Sequence, residues 1–203
     1  MIRPTLAYVA AILVMMTTVP GATLAAKAPE IVAPAKTLPV FGLADHKGVP
    51  FANERLAGKW SLILLGFTQC PDVCPYTLQN LTLVVEQLSV RVSPERLPQI
   101  VFVGVDPERD RPVLDDYVTA FAPGFVGISG ARENIQPLID GLGGFVRLGP
   151  KKDGGDYQVQ HSAFVAVIDP QGRLAARLNP PMEPASTAAF LAGVMLQYAR
   201  ETK

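Results

Sequence analysis

One segment restricts the fold more than any other: the almost unbroken apolar run WSLILLGF from Trp60 to Phe67. An apolar run without polar alternation is expected of a central strand that is covered on both faces. A second run, IVFVGV at residues 100–105, predicts another buried strand. Between the two, apolar residues recur at helical spacing over residues 78–88. The alternation of strand and helix predicts an α/β fold.

The rest of the chain continues this alternation and closes with a hairpin and a helix. Such an order predicts an α/β sandwich with a mixed central sheet flanked by helices. With no internal repeat in view, we expect one domain over residues 41–203, preceded by a linker over the Pro- and Ala-rich residues 27–40. The other predicted elements are a hairpin over residues 43–56, a helix over 112–121, strands over 125–128 and 145–148, a helix capped by Ser129 and ending at Leu142, strands over 163–168 and 173–178, and a helix over 185–200.

The first 26 residues differ in character from the domain. Arg3 is the only charged residue before Lys27, and the apolar stretch Leu6–Val19 is shorter than the roughly 20 residues that a spanning helix needs. Residues 1–26 are therefore predicted to be an export signal, cleaved after Ala25, or an uncleaved membrane anchor. Either alternative places the domain in the periplasm, free or anchored to the inner membrane, where cysteines meet oxidising conditions.

The charge balance bears on the partners of the domain. The chain carries 18 Lys and Arg residues against 18 Asp and Glu residues. A protein that binds the phosphate backbone needs a clustered basic excess, and none is visible. Nucleic acid is therefore not a predicted partner.

The only two cysteines, Cys70 and Cys74, lie four residues apart just before Pro75, which suits the first turn of a helix. The amino end of a helix favours thiolate over thiol, so both cysteines are expected to be reactive. Two adjacent thiolates can form a disulfide or share a soft metal ion. A purely structural disulfide is a weak alternative, because closing so short a loop stabilises a fold by only about 2 kcal/mol. Since the chain has too few ligands for a structural zinc or iron–sulfur site, Cu(I) fits the inventory best.

Two histidines could complete such a site. His161 lies just before the strand predicted over residues 163–168, where a lone histidine is more often a hydrogen-bonded polar residue than a ligand. His46 is the other choice, and its Asp-His-Lys-Gly surroundings are typical of a solvated turn.

Other polar residues near the cysteines have two interpretations each. Asp72 could orient the loop or contact a partner, or it could simply form the turn. The acidic and basic residues of segment 106–110 follow the second buried strand. We interpret them as a cluster of ion pairs and helix caps that shapes the cysteine loop, in preference to a catalytic role. Met182, after two prolines, is expected to be an exposed loop residue.

Three motifs together resemble the Sco/SenC family of thioredoxin-like copper proteins. They are CPDVCP at residues 70–75, VDPERD at 105–110, and Tyr157 with the His161-Ser162 pair followed by FVAVIDPQG. The resemblance covers roughly residues 41–198. It implies a thioredoxin-like fold whose copper ligands are Cys70, Cys74 and His161, for Cu(I) and also for Cu(II). This chain departs from many members at Gln160, where they carry an acid that could support the histidine.

The resemblance further implies a metal-delivery protein rather than an enzyme, one that serves copper insertion into the dinuclear site of cytochrome c oxidase. The expected partners are the copper-site subunit of the oxidase, a thioredoxin-like reductant and another copper chaperone. A thiol-disulfide oxidoreductase is the main alternative, although such proteins usually have two residues between the cysteines and a cis-proline opposite, whereas Ser162 stands here. A peroxiredoxin-type peroxidase is a third, but Thr68 lies only two residues before Cys70.

Overall fold

The structure, a computed structural model, describes residues 27–152 and 156–202. Within these ranges the chain forms a large mixed sheet, a small two-stranded sheet and helices on both sides of the large sheet. The strands are β1 (Glu30–Thr37), β2 (Gly42–Asp45), β3 (Pro50–Ala52), β4 (Ser61–Gly66), β5 (Gln99–Gly104), β6 (Val126–Ser129), β7 (Val146–Leu148), β8 (Val159–His161), β9 (Val165–Ile168) and β10 (Arg173–Leu178). The helices are α1 (Val73–Ser89), α2 (Pro107–Asp110), α3 (Leu114–Thr119), α4 (Arg132–Leu142) and α5 (Pro184–Glu201).

The large sheet has eight strands in the order β1-β10-β9-β4-β5-β6-β2-β3. Strands β4, β5 and β6 run parallel, and the remaining pairs are antiparallel. All six residues of β4 are buried, with Leu62 and Leu64 in the core under α1 and α5, and Ile63 and Leu65 in the core under α4. The predicted α/β sandwich and its doubly covered central strand are confirmed.

The predicted linker is wrong over most of its length, because Glu30–Thr37 is the edge strand β1. This strand pairs with β10 from Glu30 opposite Arg177 to Thr37 opposite Arg173, with an irregularity between Ile31 and Lys36. An edge strand makes hydrogen bonds to a neighbouring strand on one side only. Pro34 lies in the irregular part of β1, where its missing N–H costs the sheet no hydrogen bond. The Pro- and Ala-rich composition of residues 27–40 indicated a linker, and composition alone cannot show that β10 lies alongside.

Two helix starts also differ from the sequence expectation. The helix predicted from Pro112 begins earlier, at Pro107, and a 3-10 turn over Arg111–Val113 separates α2 from α3. Pro112 has no backbone N–H and interrupts the helical bonding. Ser129 does not cap α4, since its hydroxyl donates to the Gly104 carbonyl at 2.8 Å.

Met182 was expected on the surface but is buried, with only 5% of its surface exposed. It packs in the core under α1 and α5, and its carbonyl accepts a hydrogen bond from the Asn80 side chain. The contact joins residues 102 positions apart, so local sequence could not indicate it.

No helix in the described part of the chain is long and apolar enough to cross a membrane. The predicted signal or anchor over residues 1–26 lies outside the described residues.

Candidate metal centre

The cysteine loop connects the carboxyl end of β4 to the amino end of α1. The helix begins at Val73, so Cys74 lies inside its first turn. The Cys70 amide donates to the Phe67 carbonyl at 3.1 Å, and the Cys74 amide donates to Cys70 Sγ at 3.5 Å. This curl places the Cys70 sulfur over the free amides of the helix start.

Gly66, the last residue of β4, provides the space for the second sulfur. A Cβ at this position would lie 3.2 Å from Cys74 Sγ and would overlap the Phe102 ring. The sulfur therefore packs against bare backbone at the strand end. Sequence reasoning missed Gly66, although a glycine that ends an otherwise bulky apolar strand is a signal of close approach.

Both sulfurs are shielded from solvent, Cys74 with 1% and Cys70 with 8% of its surface exposed. Burial raises the pKa of the Cys74 thiol far above its ordinary value, while a backbone hydrogen bond from Phe67 acts in the opposite direction. The expectation that the helix start makes both cysteines reactive thiolates is wrong for Cys74. Loss of hydration outweighs the local dipole, and the sequence did not show how deeply the first helical turn is buried.

His161 ends β8, opposite Val146 of β7. Its Nδ1 lies 2.9 Å from the Ser162 carbonyl, which can only accept, so Nδ1 carries the hydrogen. The lone pair of Nε2 then faces Cys74 Sγ at 3.6 Å. Burial lowers the pKa of His161, while the hydrogen bond to Ser162 raises it. The ring also meets Phe67 edge to face, with centroids 6.0 Å apart. Strand pairing thus brings the histidine to the cysteines.

The donor set suits a soft metal ion. With zinc-like bond lengths of about 2.3 Å to sulfur and 2.0 Å to nitrogen, a trigonal ion spans a sulfur–nitrogen distance of about 3.7 Å. The Cys74–His161 separation of 3.6 Å agrees with this span. Among the described residues, no three His, Cys, Asp or Glu side chains already surround one point. The neighbouring Cys70, whose sulfur accepts from the Cys74 amide, is the candidate for a third donor.

A buried carboxylate, Asp110, fixes the start of the cysteine loop. It accepts hydrogen bonds from the Thr68 amide at 2.7 Å, the Thr68 hydroxyl at 2.8 Å and the Asp106 amide at 2.9 Å. Burial raises the pKa of Asp110, and the Thr68 and Asp106 bonds lower it. The interpretation of segment 106–110 as a cluster that shapes the loop is confirmed by these contacts.

Tyr117 adds a polar group that sequence reasoning missed. Its hydroxyl is buried and has no hydrogen-bond partner among the described residues, while its ring packs on Phe102 at 5.1 Å. Burial raises the pKa of Tyr117, and the neighbouring Cys74 and Cys70 raise it further. No local signal distinguishes this tyrosine from an ordinary core aromatic residue.

Asp72 and His46 are the two remaining candidates, and only the burial of His46 departs from expectation. Asp72 is exposed at the position before α1, but its side chain makes no capping hydrogen bond. His46 lies in the predicted turn but is not solvated: its side chain is 5% exposed, its Nδ1 accepts from the Gly127 amide at 3.0 Å, and its Nε2 lies 3.6 Å from Asp115. These contacts hold His46 at the β2–β6 side of the sheet.

Comparison with known proteins gives consistent matches. Residues 30–196 match the SCO1/SenC family. The human mitochondrial SCO1 homolog is 32% identical over 164 residues, which cover 80% of this chain and 54% of the human protein, so the chain spans about half of that relative. The structure of Bradyrhizobium japonicum ScoI with copper bound is 33% identical, has a TM-score of 0.67, and is matched over 76% of this chain and 97% of that one.

A more distant structure shares the fold alone. It is BsSco, described with a disulfide switch and as a member of the Sco family of cytochrome c oxidase assembly proteins, at 19% identity and a TM-score of 0.60. The match covers 82% of this chain and 96% of BsSco. Together these likenesses confirm the thioredoxin-like α/β fold.

Proposed function

This chain belongs to the SCO1/SenC family, and from that premise we propose that it binds one copper ion through Cys70, Cys74 and His161 and delivers it to the dinuclear copper site of cytochrome c oxidase. The observation that carries the proposal is the Cys74 Sγ to His161 Nε2 distance of 3.6 Å, next to the second buried cysteine. The copper-bound ScoI structure supports the choice of metal.

Copper uptake exchanges protons for metal. In the copper-free site, burial raises the pKa of the Cys74 thiol and lowers the pKa of His161, which favours the uncharged form of each group, and Cys74 Sγ lies 3.6 Å from Nε2. Binding of Cu(I) releases a proton from each cysteine that becomes a thiolate. His161 donates the Nε2 lone pair and keeps its Nδ1 hydrogen on the Ser162 carbonyl. The protein thus holds the Cys74 sulfur as a protected thiol until the metal arrives.

Delivery requires a route for the recipient's thiols. Between the cysteines, Pro71, Asp72 and Val73 are exposed, so one side of the loop faces solvent. A recipient that approaches along this side can exchange ligands stepwise, first with Cys70, the less buried sulfur. Asp72 would contact the recipient or the donor chaperone, since its carboxylate is not used as a helix cap.

The compartment implies a further partner. If residues 1–26 direct export, oxidation of the two sulfurs to a disulfide would exclude copper, because only thiolates bind it. A thioredoxin-like reductant in the periplasm or on the membrane would then keep Cys70 and Cys74 reduced, so that they can bind copper. The loss of this reductant should lower the copper content of the protein.

The thiol-disulfide oxidoreductase alternative gains less from the geometry. Disulfide exchange needs an accessible thiolate, whereas Cys74 is buried and its pKa is raised. The lone pair of His161 Nε2 that faces Cys74 Sγ favours metal binding over disulfide exchange.

A transfer experiment tests the proposal. The reduced domain, loaded with one Cu(I), is mixed with the reduced copper-free domain of the oxidase copper-site subunit, and copper in each protein is measured after separation. We expect transfer from the unmodified protein and none from Cys70→Ser or Cys74→Ser, because two soft ligands are the minimum set. Val90→Ala, at an exposed position after α1, is the control. Copper-free protein that reduces an oxidised recipient, with no metal transfer from the loaded form, would instead support the oxidoreductase.

A further inference from the structure

Arg109 connects the two parts of the chain that supply the proposed ligands. Its guanidinium donates to Gln69 Oε1 at 3.2 Å, one residue before Cys70. The same group donates to the Tyr157 carbonyl at 3.4 Å and lies 3.9 Å from the centroid of the Tyr157 ring. Arg109 is therefore a common neighbour of the cysteine loop and of the segment that leads to His161.

Tyr157 is held at both ends. Its hydroxyl donates to Asp106 Oδ1 at 2.8 Å, while its ring and carbonyl contact Arg109. Asp106 is 1% exposed, and its other oxygen accepts from Arg109 Nε. The buried carboxylate thus has a partner for each oxygen, which satisfies the condition for burying a charge. We call Asp106, Arg109 and Tyr157 the clamp.

The clamp lies where the histidine side needs support. Tyr157 is two residues before β8, the strand that His161 ends. Within residues 27–152 and 156–202, strand β8 pairs only with β7 in a two-stranded sheet, and such a pair on its own is marginally stable. The cysteine loop has a separate support, the hydrogen bonds from Thr68 to Asp110. Removing the Tyr157 hydroxyl leaves this second support in place, whereas replacing Arg109 also removes its hydrogen bond to Gln69 in the cysteine loop.

We propose that Arg109 and Tyr157 are positioning residues that hold the His161 imidazole beside the Cys74 sulfur, where one metal ion can join the two. The proposal rests on the proposed copper site and adds residues that contact neither metal nor sulfur. Arginine suits this position because its planar guanidinium stacks on the Tyr157 ring and donates hydrogen bonds to both Asp106 and Gln69. Lysine could keep the charge without this geometry.

The first test uses copper-free reduced protein, so that it stands apart from copper binding. Nuclear Overhauser effects between the His161 and Phe67 rings report the imidazole position, since the ring centroids lie 6.0 Å apart. We expect these signals to weaken in Arg109→Gln, Arg109→Lys and Tyr157→Phe. The Thr68 amide resonance should stay in place, because the Asp110 bond remains. Arg111→Gln, at an exposed neighbouring arginine, should leave both signals unchanged.

The second test uses copper. Supporting partners of metal-binding histidines typically change affinity by 10–100-fold, so we expect Arg109→Gln to weaken Cu(I) binding about tenfold and to reduce the nitrogen hyperfine coupling of the Cu(II) form. If Arg109→Gln fails to fold, Tyr157→Phe, which removes one hydroxyl, carries the test. Unchanged ring signals in the clamp variants, or equal losses in Arg111→Gln, would overturn the positioning role. Absence of copper binding by the unmodified protein would instead overturn the proposed function.

Discussion

The two halves of the candidate site are built differently. The cysteine half, residues 66–74, joins a fully buried central strand to the first turn of a long helix. The histidine half, strands β7 and β8, is a separate two-stranded sheet whose residues are half-buried or exposed. The main core determines the position of the sulfurs, whereas the imidazole depends on a few contacts at the edge of that core.

This difference matches the order of events that metal transfer requires. The sulfurs need protection from oxidants and wrong metals, which burial provides. In the proposed transfer the imidazole would engage and release the ion, and a small sheet held by local contacts changes position at lower cost than a central strand. The account therefore predicts large effects from changes in the cysteine half and smaller, conditional effects from changes in the histidine half.

The largest expected effect is the pH dependence of Cu(I) binding. Because the raised pKa keeps the Cys74 thiol protonated through the neutral range, metal must displace its proton. Loss of one proton per metal makes apparent affinity rise about tenfold per pH unit, and a second proton would steepen the rise. The slope should be the same in His161→Ala above pH 7, since His161 is already neutral there. Competition titrations between pH 6.5 and 8.5 measure it, and a flat profile would contradict the buried-thiol description.

The next effect concerns packing in the cysteine half. Gly66→Ala introduces a Cβ that meets the Phe102 ring and lies 3.2 Å from Cys74 Sγ. Overpacking of this kind destabilises a core by about 1–3 kcal/mol. Gly42→Ala is the matched control, because a Cβ there meets nothing within 4 Å. Urea unfolding of the reduced protein compares the two. Equal unfolding midpoints would mean that the strand end is less closely packed than its contacts indicate.

The smallest effect is the contribution of His161 to the pH dependence of stability. Burial lowers the pKa of His161 from its ordinary 6.5, so below pH 6.5 the unfolded chain binds a proton that the folded site resists. The free energy of unfolding of copper-free protein should therefore fall as pH decreases from 6.5 to the folded-state pKa, by at most about 1.4 kcal/mol per pH unit, and then level off. Urea unfolding of His161→Gln should lack this component. Parallel curves for the two proteins would show that His161 is hydrated in the folded state.

The sequence predicted the parts of the site that depend on local pattern. The apolar run from Trp60 to Phe67 identified the central strand, and the cysteine spacing identified a loop at a helix start. Position 161 as a ligand came from the family resemblance, and the structure places that histidine against Cys74.

What the sequence did not predict depends on contacts between distant residues. The edge strand β1 exists because β10 lies beside it, and the raised pKa of Cys74 follows from burial that involves Phe102 and Gly66. His46 was expected to be solvated from its local sequence, which could not show that Gly127, 81 residues away, lies against its ring. Each of these errors concerns tertiary packing, which single-segment patterns do not encode.

X-ray absorption at the copper edge of the reduced, Cu(I)-loaded protein measures whether both halves of the site contribute ligands to one copper ion. We expect two sulfur scatterers from Cys70 and Cys74 and one nitrogen scatterer from His161, with the nitrogen lost in His161→Ala. A spectrum with sulfur scatterers alone in the unmodified protein, or one that His161→Ala leaves unchanged, would show that the two halves do not share the ion.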